Sequence, residues 1–298
     1  MSLSAPMRCS ALADDLAEPL AGTVDHRVRW LLVEDRSAWA DKAVRDVLGA
    51  GLEAATRERG MRLLLVRRRE GDPAADAVRR VFLVDTERRE MAVRAIRDPR
   101  ELAPLLDVPV ADFGAPLADP MLLVCTNGKR DACCALRGRA LTAALAAEHA
   151  ERTWECTHLG GHRFAANLVC LPHGIVYGRV SPAAGPSLAD AYLAGRLDAS
   201  HLRGRSAWPV PAQVAEVELR ATLGLDGLDD LVLAGCQVED AAATVRLRAI
   251  DGEEHAVRLE AHRMAPPRPI SCHADEAEEP LHWRVLEVSP ADRAPRTG

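Results

Sequence analysis

Five of the eight cysteines fall between residues 125 and 170, with His158 and His162 among them. This cluster constrains the chain more than any other feature. Cys125 and Cys134 are separated by eight residues and His158 and His162 by three, and each pair sits where an apolar run gives way to a loop. Strand ends are where open α/β sheets place their sites. Four soft or borderline ligands on two short loops can close around a metal centre without using a helix face. Gly160 and Gly161, between the histidines, set the local geometry. Two adjacent glycines disfavour a helix by roughly 1 kcal/mol each relative to Ala. The histidine pair is therefore not the helical His-Glu-x-x-His of a zinc protease, and the Glu of that motif is missing. The cysteine spacing is wider than the knuckle of common zinc fingers and suits a larger object than one ion.

Around the cluster, strand and helix patterns alternate, which favours an α/β layer architecture. Residues 1–25 read as a loosely ordered lead-in. Runs 29–33, 61–66, 81–84 and 89–96 have strand length, and 39–52 reads as a helix. The proline-rich stretch 104–120, which also carries Gly114, reads as a linker or boundary. Next come a strand at 121–124 ending at Cys125, the loop TNGKRDACC, a helix at 137–150, a strand at 153–156 and the loop THLGGHR. Runs 164–171 and 175–180 bracket Pro172-His173-Gly174 as a hairpin, and 188–197 reads as a helix. That order is close to a thioredoxin-type domain. Further on, 210–223 looks helical, and 244–250, 255–261 and 282–288 look like strands, with Asp251-Gly252 as a hairpin signal. The expected organisation is an N-terminal α/β unit over 1–118, a thioredoxin-like domain over 119–205, and a helix plus a β-rich appendage over 206–298. The first two units could share one fold without visible sequence similarity.

The first residues lack a basic segment followed by an apolar stretch, and no run approaches the ~18 apolar residues of a membrane helix. The expectation is a cytoplasmic chain with no membrane association. In a reducing compartment, cysteines point to metal ligation or redox chemistry rather than disulfides. A net charge of −6 and 3% aromatic residues argue against a nucleic-acid binder, which needs basic surface and stacking platforms.

A [2Fe–2S] cluster is one object of the required size. It takes four protein ligands, and two imidazoles in place of two thiolates raise its potential, because a neutral ring donates less electron density. Lys129 and Arg130, in the first loop, would favour the reduced state or dock an acidic partner. The sequence CTNGKRDACC followed by HLGGH resembles the sucrase/ferredoxin-like family, whose motif runs C-x-(H/N)-G-x-R-D-x-x-C and then H-(I/L)-G-G-H. The resemblance is dense over 122–180 and looser over 28–223. It implies a thioredoxin-like [2Fe–2S] ferredoxin with Cys125 and Cys134 on one iron and His158 and His162 on the other. It also implies an electron carrier, rather than an enzyme with its own substrate, serving a redox partner protein. Asn127 stands where many members carry His, and Cys133 beside Cys134 leaves open which sulfur binds.

Around the ligands, Arg130 and Asp131 read either as a pair orienting the loop or as a surface ion pair. Arg163 and Phe164 read as a wall against water. Cys156 and Cys170 read as core. Cys272-His273, beside an acidic run, reads as a solvated loop rather than a second metal site, and RRRE at 67–70 as a solvated face. Two readings from other classes stand beside the cluster: a structural zinc module on the same four residues, and a thioredoxin-like thiol oxidoreductase with Cys125 or Cys134 as nucleophile. The wide cysteine spacing argues against the latter.

Overall fold

A computed structural model describes residues 8–68 and 78–291. In chain order, α1 (Cys9–Asp15) precedes a first unit of β1 (Arg29–Glu34), α2 (Ala43–Leu48), α3 (Ala50–Glu58), β2 (Arg62–Arg67), β3 (Arg79–Asp85) and β4 (Glu90–Ile96). A 3-10 turn at Pro99–Leu105, α4 (Val110–Phe113) and the two-residue β5 (Ala115–Pro116) lead to a second unit. That unit holds β6 (Met121–Cys125), α5 (Ala132–His149), β7 (Thr153–Cys156), β8 (Leu168–Leu171), β9 (Ile175–Tyr177), α6 (Gly185–Leu193) and β10 (Leu202–Arg205). Then come α7 (Val210–Leu223), β11 (Leu231–Glu239), β12 (Ala242–Ala249), β13 (Glu254–Arg263) and β14 (Leu281–Pro290).

All five residues of β6 and five of the six in β1 are buried, so these strands need cover on both faces. They obtain it in the interior of two matching halves of one ten-stranded mixed sheet, ordered β10-β9-β8-β6-β7-β2-β1-β3-β4-β5. β1 lies between parallel β2 and antiparallel β3, with β4 outside β3. β6 lies between parallel β7 and antiparallel β8, with β9 outside β8. The two halves therefore repeat one topology, and β2 joins β7 antiparallel at Val66–Cys156 and Arg67–Glu155. On one face, Leu32, Val66, Phe82, Leu123 and Trp154 belong to a core that runs unbroken across both halves. On the other face the core divides, with Val33, Leu65 and Leu83 packed with Leu48 and Leu52 of α2 and α3, and Val124 and Leu168 with Leu141 and Leu188 of α5 and α6.

The small second sheet, β11-β12-β13-β14, is antiparallel throughout. Strict alternation of burial along β12 turns one face onto α7, where Ala215 and Leu219 meet Val245, Leu247 and Val257. The fold is thus mixed α/β, in keeping with a thioredoxin-like ferredoxin fold, with a β-rich appendage. No helix among the described residues is long and apolar enough to cross a membrane.

Several expectations change. The lead-in is not loose where it is described: α1 packs on the 3-10 turn His162–Phe164, and Glu18 is fully buried. Glu18 accepts from Arg163 Nε at 2.7 Å and Arg268 Nε at 3.0 Å and sits 3.1 Å from His282 Nε2, which ties the lead-in to the second loop and to the small sheet. Burial opposes its ionisation, but His282 and the two arginines hold its carboxyl down at about 2. The stretch 104–120 is not a bare linker. Pro104 falls in a 3-10 turn, Pro109 at the cap of α4 and Pro116 on an edge strand, where a missing N–H costs little. The expected helix 39–52 is broken at Gly49, whose φ is +87°. In the basic run, Arg67 lies 4.0 Å from the Trp39 ring centroid and Arg68 4.7 Å from that of Trp154, so these two guanidiniums cover aromatic faces. Residues 69 and 70 of that run lie outside the described residues. β11 escaped the sequence reading because Gly235, Cys236 and Gln237 interrupt its apolar pattern, and a register shift falls at Leu233/Gly235.

Candidate metal centre

Cys125 ends β6 and pairs in register with Cys156 at the end of the parallel neighbour β7. The two loops that follow therefore leave the sheet side by side. In the first loop, Asn127 Nδ2 donates to Ala40 O at 3.1 Å and its Oδ1 accepts from Arg130 N at 3.3 Å. Asp131, fully buried, caps α5 by accepting from Cys133 N at 2.9 Å. The helix thus begins at Ala132 rather than near 137, and Cys133 and Cys134 lie in its first turn. Consecutive helical residues point about 100° apart, so the two sulfurs face different ways. Cys134 joins Cys125 in the continuous core, whereas Cys133 packs against Cys9. Gly138 lets the helix lie directly on the ligand strand, since a Cβ there would run into the Cys125 carbonyl oxygen.

The second loop relies on its glycines: Gly160 has φ +88° and Gly161 φ +69°, the left-handed region. Their carbonyls are pinned from beneath. Arg203 Nη1 donates to Gly160 O at 3.3 Å and to Asn167 Oδ1 at 2.8 Å, and Asn167 Nδ2 donates to Gly161 O at 3.1 Å. Neither Arg203 nor Asn167 was singled out from sequence, where nothing sets a buried arginine on a distant edge strand apart from a surface one.

The four expected ligands converge. Cys134 Sγ lies 3.7 Å from His162 Nδ1. The His158 and His162 rings stack with centroids 4.0 Å apart and planes 13° from parallel. Cys125 shares the buried core with Cys134, and Cys134, His158 and the Leu159 N–H all act on its thiol. The thiols are 1% and 2% exposed, while both histidines are half-buried and close the outer side. The hydrogen bond from Cys134, helped by His158, holds the Cys125 thiol well below its ordinary range. The same bond together with burial pushes Cys134 up, and burial with His158 alongside brings His162 down to about 3. The lowered His162 thus favours the neutral ring, the form in which an imidazole ligates a metal.

The quartet is also spread out. Cys134, His162 and Asp131 offer ligand atoms mutually within 4.8 Å, but Cys125 and His158 stand outside that group. Around one tetrahedral ion with zinc-like bond lengths all edges would be about 3.3–3.8 Å. The soft thiol and imidazole donors fit a metal centre.

The neighbouring residues differ from expectation in part. Lys129 is exposed. Arg130 pairs with Asp41 at 3.1 Å and not with Asp131, because the capping role turns Asp131 inward. Arg163 lies 4.5 Å over the Phe164 ring and pairs with Glu18. Cys156 and Cys170 are buried in the core, as read from sequence. Beside His158 opens a groove of about 450 Å³ whose lining includes Arg27, Lys42, Arg62 and Arg130.

A family model for sucrase/ferredoxin-like proteins matches residues 20–204. Altered inheritance of mitochondria protein 32 of Meyerozyma guilliermondii is 32% identical over 88 residues, which make up 26% of this chain and 31% of that protein. The chain thus covers less than a third of that relative's length. No solved structure matches the chain significantly.

Proposed function

The chain belongs to the sucrase/ferredoxin-like family, and from that footing we propose that it is a one-electron carrier whose [2Fe–2S] cluster is held by Cys125, Cys134, His158 and His162. The observation that carries the reading is the meeting of two buried thiols and two half-buried imidazoles from loops that leave adjacent parallel strands. When bound, the cluster supplies a one-electron couple with a potential raised by imidazole ligation.

The chain's own residues do the rest. The apolar core around Cys125 and Cys134 keeps water from the sulfur side. The Leu159 N–H stabilises thiolate charge on Cys125. His158 and His162, on the outer side, offer electrons and protons the shortest route to solvent. The arginines and lysine of the groove beside His158 suit an acidic surface on a redox partner protein. None of the eight cysteines is in a disulfide, which suits a reducing compartment such as the cytoplasm.

The test is composition. Chain purified anaerobically from iron-replete cells should be red-brown and hold two irons and two acid-labile sulfides at this site. Colourless protein without sulfide would overturn the proposal, and one zinc in the same four residues would replace it with the structural-zinc reading.

A further inference from the structure

A second group of ligating side chains lies behind the first. Cys9 from α1, Cys133 and Asp131 from the start of α5, and Cys272 from the connection between β13 and β14 bring their ligand atoms within 4.8 Å of one another. The sulfur–sulfur distances are 3.3 Å for Cys133–Cys272, 3.5 Å for Cys9–Cys272 and 3.7 Å for Cys9–Cys133, and Asp131 Oδ2 lies 3.9 Å from Cys9 Sγ. Cys272 and His273 are exposed, as a solvated loop should be, and the Cys272 sulfur nonetheless completes this group. Its sequence neighbours gave no hint, because its partners lie 139 and 263 residues away.

We propose that Cys9, Cys133, Cys272 and Asp131 bind one zinc ion in a four-coordinate structural site that shares no ligand with the four-residue centre but adjoins it, His162 Nδ1 lying 3.9 Å from Asp131 Oδ2. Three arguments carry this. First, zinc bonds of about 2.3 Å to sulfur and 2.0–2.2 Å to oxygen give tetrahedral edges of about 3.8 Å between sulfurs and about 3.5 Å between sulfur and oxygen. The observed separations lie near those values and far beyond the ~2.05 Å of a disulfide. Second, three thiols with one carboxylate form a soft, four-coordinate donor set that selects zinc over hard cations. Third, the outer contacts already hold the ligands in place. Ser10 Oγ donates to Cys133 Sγ at 3.2 Å, Cys272 N donates to Asp131 Oδ2 at 2.9 Å, and the other Asp131 oxygen is fixed by its cap bond to Cys133 N.

The ligands come from the lead-in, the cluster-bearing helix and the appendage. The ion would therefore staple three distant segments, two of which, the lead-in and the appendage, Glu18 also joins. Binding sends the three thiol protons to solvent. Cys133 and Cys134, adjacent on α5, then serve two different metals.

The experiment is elemental analysis of the full chain purified under reductant, with two sets of variants. Wild type should carry one zinc beyond its iron. The double variant Cys9→Ser, Cys272→Ser should lose that zinc and keep wild-type iron and sulfide, whereas Cys125→Ser should lose iron and keep the zinc. If the double variant does not fold, the wild type decides. A mercurial titrated into it should release one zinc to a metallochromic dye, with Cys9, Cys133 and Cys272 shielded from alkylation until release. Equal zinc in wild type and double variant would overturn the proposal. So would free alkylation of all three thiols in zinc-free wild type, or a chain lighter by two hydrogens that carries a disulfide between two of them. Zinc retained in a chain that never holds iron would sink the electron-carrier reading and leave this one standing.

Discussion

Alanine at Gly161 should cost far more than alanine at Gly160, although both glycines have positive φ and are neighbours in one loop. A left-handed alanine costs roughly 1–2 kcal/mol, and this applies to both positions. At Gly160 little is added, since the nearest atom to a new Cβ is Arg62 Nη2 at 4.0 Å. At Gly161 the Cβ would press on the Arg203 guanidinium, with its Cζ only 2.7 Å away. That guanidinium is 2% exposed and cannot swing aside. It donates to Asn167 Oδ1 at 2.8 Å, to Thr23 Oγ1 at 3.0 Å and to the Thr23 carbonyl. Losing one such charged-group bond costs about 1.5–3 kcal/mol. Gly160→Ala should therefore lose about 1–2 kcal/mol and Gly161→Ala about 3–5 kcal/mol. Urea unfolding of the chain as isolated, read by far-UV circular dichroism, measures both, and iron per chain should fall in the same order because Arg203 positions the loop carrying both histidines. Equal losses at the two positions would refute the idea that Arg203 props this loop.

Three further outcomes follow from the geometry. Cys134→Ser should abolish iron binding and Cys133→Ser should retain it, since only Cys134 faces Cys125 and His162; visible absorption of each variant checks this. Replacing His158 or His162 with Cys should keep a cluster but lower its potential and flatten its pH dependence, as protein-film voltammetry would show, because a thiolate donates more charge than an imidazole and has no second proton to release. Glu18 titrates at about 2 in the folded chain against an ordinary 4.5, so its contribution is complete above about pH 4.5 and is lost as pH falls toward 2. The shift corresponds to about 3 kcal/mol. Glu18→Gln should be less stable than wild type at neutral pH and lose less stability between about pH 5 and 3; parallel acid-unfolding curves would contradict this.

Much of the second unit was legible because its signals are local. The apolar run ending at Cys125, the Gly160-Gly161 pair and the Pro172-His173-Gly174 turn each act within a few residues, and the topology of β6 to β9 follows from them. The start of α5 was misplaced because Ala132 to Leu136 read as loop sequence, and only the Asp131 cap shows otherwise. What stayed hidden depends on contacts across the chain. The union of both units into one sheet rests on a two-residue pairing of β2 with β7. The support of the histidine loop rests on Arg203, and the group around Cys272 on residues far away in sequence. Burial of Glu18 could not be read from a polar lead-in whose partners lie in the second loop and the small sheet.

The ligand assignment is tested most directly by electron–nuclear double resonance on the reduced, paramagnetic chain. Two strongly coupled nitrogens are expected, assigned by isotopic labelling of histidine, with one vanishing in His158→Cys and the other in His162→Cys. A reduced signal with no coupled histidine nitrogen, or one unchanged in both variants, would contradict imidazole ligation at this centre.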